Sequence, residues 1–168
     1  RAIAVFEKMK DWNAVIKACE AFNKKFGKDD KQSGRLVETV VKIAEAYTEK
    51  KDQKMAMKAY EDVLKEFHKR NLGVRTRSAY FSAKAKYLQA EQVFAKYDLL
   101  RLGSDPKYLK KELEAKAKMN IEVVKAYEAV LPYKQAEWTL AALYRIAYAK
   151  QRFAETLYDA PVPKDLKS

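Results

Sequence analysis

The chain has 168 residues and a formal charge of +12 at pH 7, which favours acidic partners of any class. Apolar residues make up 48% and charged residues 35%, so the chain can form a core and is not a disordered polar tail. One cysteine, one histidine, four glycines and four prolines argue against a disulfide framework, a zinc site, a Ser-His-Asp triad and a turn-rich β-sandwich.

The spacing of apolar residues predicts seven helices, and no stretch shows the alternation of a β-strand. Glycines and prolines lie between the helices, where glycine is expected to adopt the left-handed conformation that ends a helix. Asp11, Asp52 and Ser104-Asp105 precede helices and are predicted N-caps. The predicted ranges are 2–9, 11–26, 33–50, 52–70, 74–102, 106–131 and 134–158. Charges interrupt the apolar stretches within about a dozen residues, so no segment is expected to span a bilayer.

Part of the sequence repeats at an interval of 41 residues. Residues 11–26 align without a gap on residues 52–67, with Asp, Lys, Ala, Glu, Lys and Phe in common. A shorter match, Lys-Ala-Tyr-Glu-x-Val-Leu, occurs at 58–64 and again at 125–131. Internal repetition at such a period is typical of solenoid proteins.

Small and aromatic residues share one stripe of each helix in the repeat, where alanine lets two backbones approach and tyrosine fills the space beside them. The stripe consists of Val40, Ile43, Ala44, Tyr47, Ala56 and Tyr60. This register resembles the tetratricopeptide repeat, although the interval is longer than that repeat's usual period of about 34 residues. The resemblance implies an all-α, right-handed α-solenoid of helix-turn-helix repeats.

The predicted repeat domain covers residues 1–168 and is expected to be a fragment of a longer array. Residues 1–73 carry the more regular repeats, and residues 74–168 carry longer, irregular helix pairs. Within 78–166, the stretches Ala-Glu-Trp, Ala-Ala-Leu-Tyr-Arg-Ile and Asp-Ala-Pro-Val-Pro are similar to the C-terminal region of large repeat proteins of deltaproteobacterial cell envelopes. That resemblance implies a periplasmic or outer-membrane-associated protein in a larger complex, with a cytoplasmic protein as the alternative. It implies no catalytic residue.

The first predicted surface is an acidic face on the third helix. The first helix of a tetratricopeptide unit lines a concave groove, so its outward positions are expected to bind a basic or amphipathic segment. These candidate groove residues are Glu38, Val41, Glu45, Thr48 and Glu49. An ordinary solvated helix face is the alternative interpretation.

The second predicted surface is a basic stretch between Glu66 and Glu91 that contains no acid. Its candidate residues are Lys69, Arg70, Arg75, Arg77, Lys84 and Lys86. Interleaved tyrosines and a phenylalanine could stack on bases while the cations neutralise phosphates. The same stretch could instead face an anionic membrane, an acidic protein or only solvent.

The remaining candidates are assigned structural roles. Cys19 aligns with Tyr60 and is predicted to be a small buried group, and His68 is predicted to be a surface residue at a helix end. The sequence offers no phosphate-binding glycine loop. It therefore predicts no enzyme, no cofactor and no metal site. The predicted function is a protein–protein interaction scaffold, with binding of nucleic acid or an anionic surface through Lys69–Lys86 as the alternative.

Overall fold

The structure is a computed structural model that describes residues 2–103 and 105–160, except for the side chains of Asp30 and Pro106. Within these residues it contains seven α-helices, two short 3₁₀ turns (Asp30–Gln32 and Leu131–Tyr133) and no β-strand. The all-α prediction is therefore confirmed. The helices are α1 (Ala2–Lys8), α2 (Trp12–Phe26), α3 (Ser33–Glu49), α4 (Gln53–Lys69), α5 (Arg77–Leu99), α6 (Pro106–Glu128) and α7 (Ala136–Tyr158).

The predicted helix boundaries agree with the observed ones to within three residues at either end. The predicted N-caps Asp11, Asp52 and Asp105 each accept a hydrogen bond from a backbone N–H of the following first turn, at 3.0, 3.1 and 2.9 Å. Local sequence signals therefore fix where these helices start. The predicted cap Ser104 and residues 161–168, which carry part of the second resemblance, lie outside the described residues.

The helix ends differ from the prediction that glycine would supply the left-handed conformation. All four glycines are described and none has a positive φ, whereas Lys10 and Lys51 have φ values of 56° and 61°. Backbone hydrogen bonds hold this strained conformation: the N–H of Asp11 donates to Phe6, and the N–H of Asp52 donates to Tyr47. The same turn, a left-handed lysine followed by a capping aspartate, therefore closes both the α1–α2 and the α3–α4 hairpins.

Side-chain contacts show that each helix in this region runs opposite to the next. Lys50, at the end of α3, donates to Asn13 near the start of α2, and Thr39 near the start of α3 bonds to Asn23 near the end of α2. In the α3–α4 pair, the Thr48 hydroxyl lies 3.3 Å from the Tyr60 hydroxyl.

The chain divides into two compact units. The first comprises residues 1–86 and 132–135, and the second comprises residues 87–131 and 136–168. The division falls inside α5, between Lys86 and Tyr87. The predicted contrast between regular repeats at 1–73 and irregular pairs at 74–168 stays a prediction.

The core of the first unit is built from the repeat positions. Val15, Ile16, Cys19 and Ala46 are buried in one cluster, and Tyr47 packs against it. Tyr60, the partner of Tyr47 in the predicted stripe, is 3% exposed. The tyrosines therefore fill space between helices, as the repeat register predicts.

In the second unit, a buried lysine marks the end of α5. Lys116 of α6 is 3% exposed, and its ammonium donates to the carbonyls of Tyr97 and Leu100 at 3.1 and 2.6 Å. Burial lowers the pKa of Lys116 below its usual value. The cation lies at the C-terminal end of α5, where the helix dipole favours positive charge.

Replacing Lys51 by glycine should raise the free energy of unfolding by about 0.5–1 kcal/mol, because glycine adopts a positive φ without the steric cost of a side chain. Lys58, an exposed residue inside α4, is the matched control: Lys58→Gly should lower the free energy of unfolding by about 1 kcal/mol. Urea denaturation of both variants measures the two signs. Destabilisation by Lys51→Gly would contradict the proposed strain at this turn.

Candidate interaction surfaces

The predicted acidic face of α3 is largely occupied by contacts within the chain. Val41 is 1% exposed and belongs to the core, so it does not line a surface groove. Glu38 forms an ion pair with Arg77 at 3.1 Å, and Glu45 forms one with Lys84. Thr48 donates its hydroxyl proton to the carbonyl of Ala44, one turn earlier. Of the five candidates, Glu49 is exposed and has no ion-pair partner among the described residues.

The predicted basic stretch supplies the partners of that acidic face. Arg77 and Lys84, on the first half of α5, pair with Glu38 and Glu45 of α3. Both pairs have a sequence separation of 39 residues, so this part of α5 runs parallel to α3. The two surfaces that the sequence predicts as separate sites are thus brought together, and their opposite charges compensate each other.

A further ion pair extends the same arrangement to α1, where Glu7 pairs with Lys42 of α3. α1, α3 and the first half of α5 are therefore linked side by side by charged residues. The six side chains are on average partly exposed, so each pair contributes less than about 1 kcal/mol to stability. Their main effect is to fix which faces of the helices meet.

The side chain of Arg70 is mostly buried and holds other parts of the chain together. Its side chain is 12% exposed and forms an ion pair with Glu66 at 3.0 Å. The guanidinium also donates to the hydroxyl of Ser33 and to the carbonyl of Gly27, at 3.2 and 2.7 Å. Arg70 thereby ties the end of α4 to the α2–α3 connection. Its geometry explains an arginine at this position, since a lysine lacks the fork of donors.

The other three basic candidates lie nearer solvent. Lys69 pairs with Glu66 at 3.9 Å while remaining 75% exposed, Arg75 is exposed, and Lys86 is half-buried. Phe81, one of the interleaved rings, lies under the guanidinium of Arg77 at 5.5 Å. The structure therefore does not gather the six cations into one anion site.

A cleft of about 470 Å³ lies between α2 and α4. Its floor is made by Val40, Ile43 and Tyr47 of α3, and charged side chains of both signs line its walls. Among the residues described, no group of three or more histidine, cysteine or acidic side chains is placed to hold a metal ion.

A polar cluster in the second unit joins three helices. Glu91 of α5 accepts hydrogen bonds from Arg145 of α7 and from the Tyr127 hydroxyl of α6, the latter at 2.6 Å. Burial raises the pKa of Glu91, but the hydrogen bonds from Arg145 and the tyrosines outweigh it and leave the pKa below its usual value. Burial and the neighbouring Glu91 raise the pKa of Tyr127. Because the pKa of each group is moved away from neutrality, the cluster suits a structural role better than proton transfer.

An apolar face of α7 is exposed. Ala142 and Ala149 are fully buried on the opposite side of the helix. The exposed residues, named here the α7 stripe, are Leu140, Leu143, Tyr144, Ala147, Ala154, Leu157 and Tyr158. Tyr144 is 68% and Leu140 67% exposed. Large exposed apolar residues that follow one helix face are typical of interaction surfaces.

The α7 stripe is not one of the two surfaces that the sequence predicts, although its spacing contains a signal. Apolar residues recur at intervals of three and four from Leu140 to Ala147 and from Ala154 to Tyr158, with Lys150 and Gln151 between them, and α7 also has apolar residues on its other side. The pattern alone does not tell which of two apolar faces is covered. The structure decides this by burying Ala142 and Ala149.

Comparisons of the chain with protein-family models, with curated proteins and with solved structures found no match. Function is therefore inferred from the described side chains and from the sequence. None of the helices in the described part of the chain is long and apolar enough to cross a bilayer.

Replacing Arg70 by alanine should lower the free energy of unfolding by about 2 kcal/mol, because two partly buried acceptors and one carboxylate lose a charged donor. Lys69→Ala removes the same charge from the neighbouring residue and should change stability by less than about 0.5 kcal/mol. Thermal or urea unfolding of both variants measures the difference. Equal effects would contradict the structural role of Arg70.

Cys19 should be unreactive in the folded protein. Its side chain is 0% exposed, and burial, only partly offset by the charge of Lys42, raises the pKa of the thiol to about 11. At pH 8 the rise in pKa alone should slow reaction with a thiol reagent about 100-fold relative to the denatured chain, since the thiolate is the reacting form. Equal rates for folded and denatured protein would contradict the burial.

The raised pKa of Cys19 also predicts that the stability of the fold depends on pH. Because the folded state keeps the thiol proton to a higher pH than the unfolded state, this group's stabilising contribution is present below pH 9 and is lost between about 9 and 11. Cys19→Ala should remove that part of the pH dependence.

Proposed function

We propose that this protein is a non-enzymatic protein–protein interaction scaffold of the tetratricopeptide type, and that the α7 stripe binds an amphipathic helix of a protein partner. The observation that carries the proposal is the exposure of the α7 stripe. The exposed fraction reaches 91% at Tyr158, and Leu143 and Leu157 are 46% and 49% exposed. Leaving so much apolar surface in water is unfavourable by about 25 cal/mol per Å², so covering it is a source of binding energy.

We also propose that the helix hairpins form a right-handed solenoid. The first unit supports this proposal. Two hairpins are closed by the same turn, and α1, α3 and the first half of α5 lie side by side through charged pairs. Alternate helices that lie beside each other are what stacked hairpins require. The 41-residue interval of the sequence repeat matches the separation of the two turns at Lys10 and Lys51.

A helix is the occupant that fits the α7 stripe. From Leu140 to Tyr158 the stripe is about 27 Å long at 1.5 Å per residue, a length that a partner helix of similar size covers. Ala147 and Ala154 leave gaps between larger side chains, into which side chains of a second helix can insert. Tyr144 is held by parallel stacking on Tyr148, with 6.3 Å between ring centroids, and so offers an ordered aromatic anchor.

The predicted concave face of α3 is less suited to this role than the α7 stripe. A partner that used Glu38 or Glu45 would first have to displace Arg77 or Lys84. The alternative function, anion binding through Lys69–Lys86, faces the same obstacle, since Arg70, Arg77 and Lys84 have partners within the chain. Both stay predictions. A salt series with Arg75→Ala and Arg77→Ala tests the alternative.

The cellular location stays a prediction as well. A periplasmic or outer-membrane-associated location in a larger complex rests on the resemblance of residues 78–166 to repeat proteins of bacterial envelopes. Fractionation of cells that express the natural protein distinguishes this location from the cytoplasm.

Site-specific photo-crosslinking tests the proposal. A photoreactive amino acid in place of Tyr144 should crosslink a partner protein through a helical segment with one apolar face, which peptide mass spectrometry identifies. The matched control carries the same amino acid in place of Lys118, an exposed residue of α6.

Leu140→Asp combined with Leu157→Asp should abolish the Tyr144 crosslink, because two charges in the stripe oppose its burial. If position 144 crosslinks no more than position 118, or if the crosslinks survive the double variant, the α7 stripe is not the binding surface.

A further inference from the structure

The two hairpins of the first unit carry lysines at equivalent sequence positions in and just after their second helices. Lys17 and Lys24 lie in α2 and Lys28 lies two residues beyond its end, whereas their equivalents all lie in α4 at the same intervals of seven and four residues. Each equivalent lies 41 residues later in the sequence. These six lysines, named here the lysine rows, are Lys17, Lys24, Lys28, Lys58, Lys65 and Lys69. All six are exposed.

Within a helix, residues that are seven or four positions apart lie on the same face. At 1.5 Å per residue, the first interval along a helix is about 10 Å and the second about 6 Å. Val15 and Cys19 of α2, and Val63 and Phe67 of α4, are buried and take the opposite side of each helix. Because α2 and α4 both run opposite to α3, they run in the same direction as each other. Lys58, Lys65 and Lys69 of α4 line the cleft between these two helices, and α2 contributes Glu20 and Asn23 to its wall.

The positive charge of the rows is only partly compensated. Lys17, Lys24, Lys28 and Lys58 form no ion pair with another residue of the described chain, whereas Lys65 and Lys69 pair with acids of their own helix. Several acids of the first unit are engaged elsewhere, as the N-caps of α2 and α4 or in the pairs along α3. The acids Glu20, Asp62 and Glu66 line the cleft beside the α4 row and partly offset its charge there, whereas Lys17, Lys24 and Lys28 are not part of that lining.

The two units also differ in net charge. The first unit contains 22 of the 35 basic residues and 12 of the 23 acidic ones, which gives it +10 of the total formal charge of +12. The excess charge is therefore a property of the unit that carries the lysine rows.

We propose that the lysine rows bind the surface of a bilayer that contains anionic phospholipids. Six lysines in two rows can meet many headgroups at once, and each lysine near such a surface strengthens binding by about fivefold. A nucleic acid fits less well: the rows contain no arginine, and no phenylalanine, tyrosine or tryptophan ring of the described residues in the first unit is exposed for stacking on bases. The lysine rows share no residue with the α7 stripe, so this proposal goes beyond the scaffold function.

Vesicle co-sedimentation tests the proposal with the full chain. The probes are vesicles of phosphatidylcholine alone and of phosphatidylcholine with phosphatidylglycerol, each over a range of salt concentrations. The protein should bind the anionic vesicles, release them as salt rises and leave the neutral vesicles unbound.

Lys17, Lys24, Lys28 and Lys58 changed together to glutamate should weaken binding to the anionic vesicles at least tenfold. The matched control makes the same four changes at Lys110, Lys111, Lys118 and Lys125, exposed lysines of α6, and so has the same net charge. The control should lose less than about threefold, since its lysines lie outside the rows. The corresponding lysine-to-glutamine variants repeat the comparison without added acids, and circular dichroism checks that all variants stay helical.

Three results would overturn the proposal. Equal losses in the row variant and in the control would show that net charge alone governs binding. Absence of binding to anionic vesicles at low salt would exclude the surface. Tighter binding to duplex DNA than to the vesicles at the same salt, again lost in the row variant, would assign the rows to nucleic acid. The α7 double variant should bind vesicles normally, so failure here leaves the scaffold proposal intact.

Discussion

The arrangement of the first unit depends on one tight reversal of the backbone, used twice. A lysine with positive φ stands between the last turn of one helix and an aspartate that caps the next. The reversal leaves almost no freedom in how the two helices of a hairpin meet. Because both hairpins use it at equivalent positions, residues 11–26 and 52–67 keep the same register relative to their turns. The 41-residue separation of the equivalent lysines is one consequence of this register.

Charge in this protein is sorted by the fold rather than spread evenly. Glu38 and Glu45 meet Arg77 and Lys84, so an acidic stretch and a basic stretch that lie far apart in the sequence become one compensated face. Lys65 and Lys69 of the lysine rows pair only with acids of their own helix, and the other four lysines of the rows form no ion pair with another residue of the described chain. A run of like charges in the sequence is therefore a poor guide to where net charge remains, since the partner of each charge is chosen by helix packing. The net charge of the unit is the more reliable quantity.

Local signals predict the helices and their starts well, because the residues that determine them are neighbours in the sequence. Asp11, Asp52 and Asp105 are examples, as each bonds an amide within three residues of itself. The repeat register likewise predicts the burial of Tyr60, since a spacing of three and four defines a face.

Tertiary pairing is what the sequence does not provide. Val41 lies on the face of α3 that spacing assigns to solvent, yet it is buried, and α5 approaches α3 closely enough for two ion pairs. The left-handed lysines were missed for a different reason: the hydrogen bonds and caps around them outweigh a preference for glycine. In α7 both faces are apolar, so only packing shows which one is left for a partner.

Lys116 gives the second unit a further property. Its ammonium binds the last carbonyls of α5 from a different helix, so the place where α5 stops is set by α6 and not by a cap in its own sequence. One inserted residue in α5 would rotate everything beyond it by about 100° and would carry those carbonyls away from the ammonium. The length of α5 is therefore coupled to the position of Lys116 in α6.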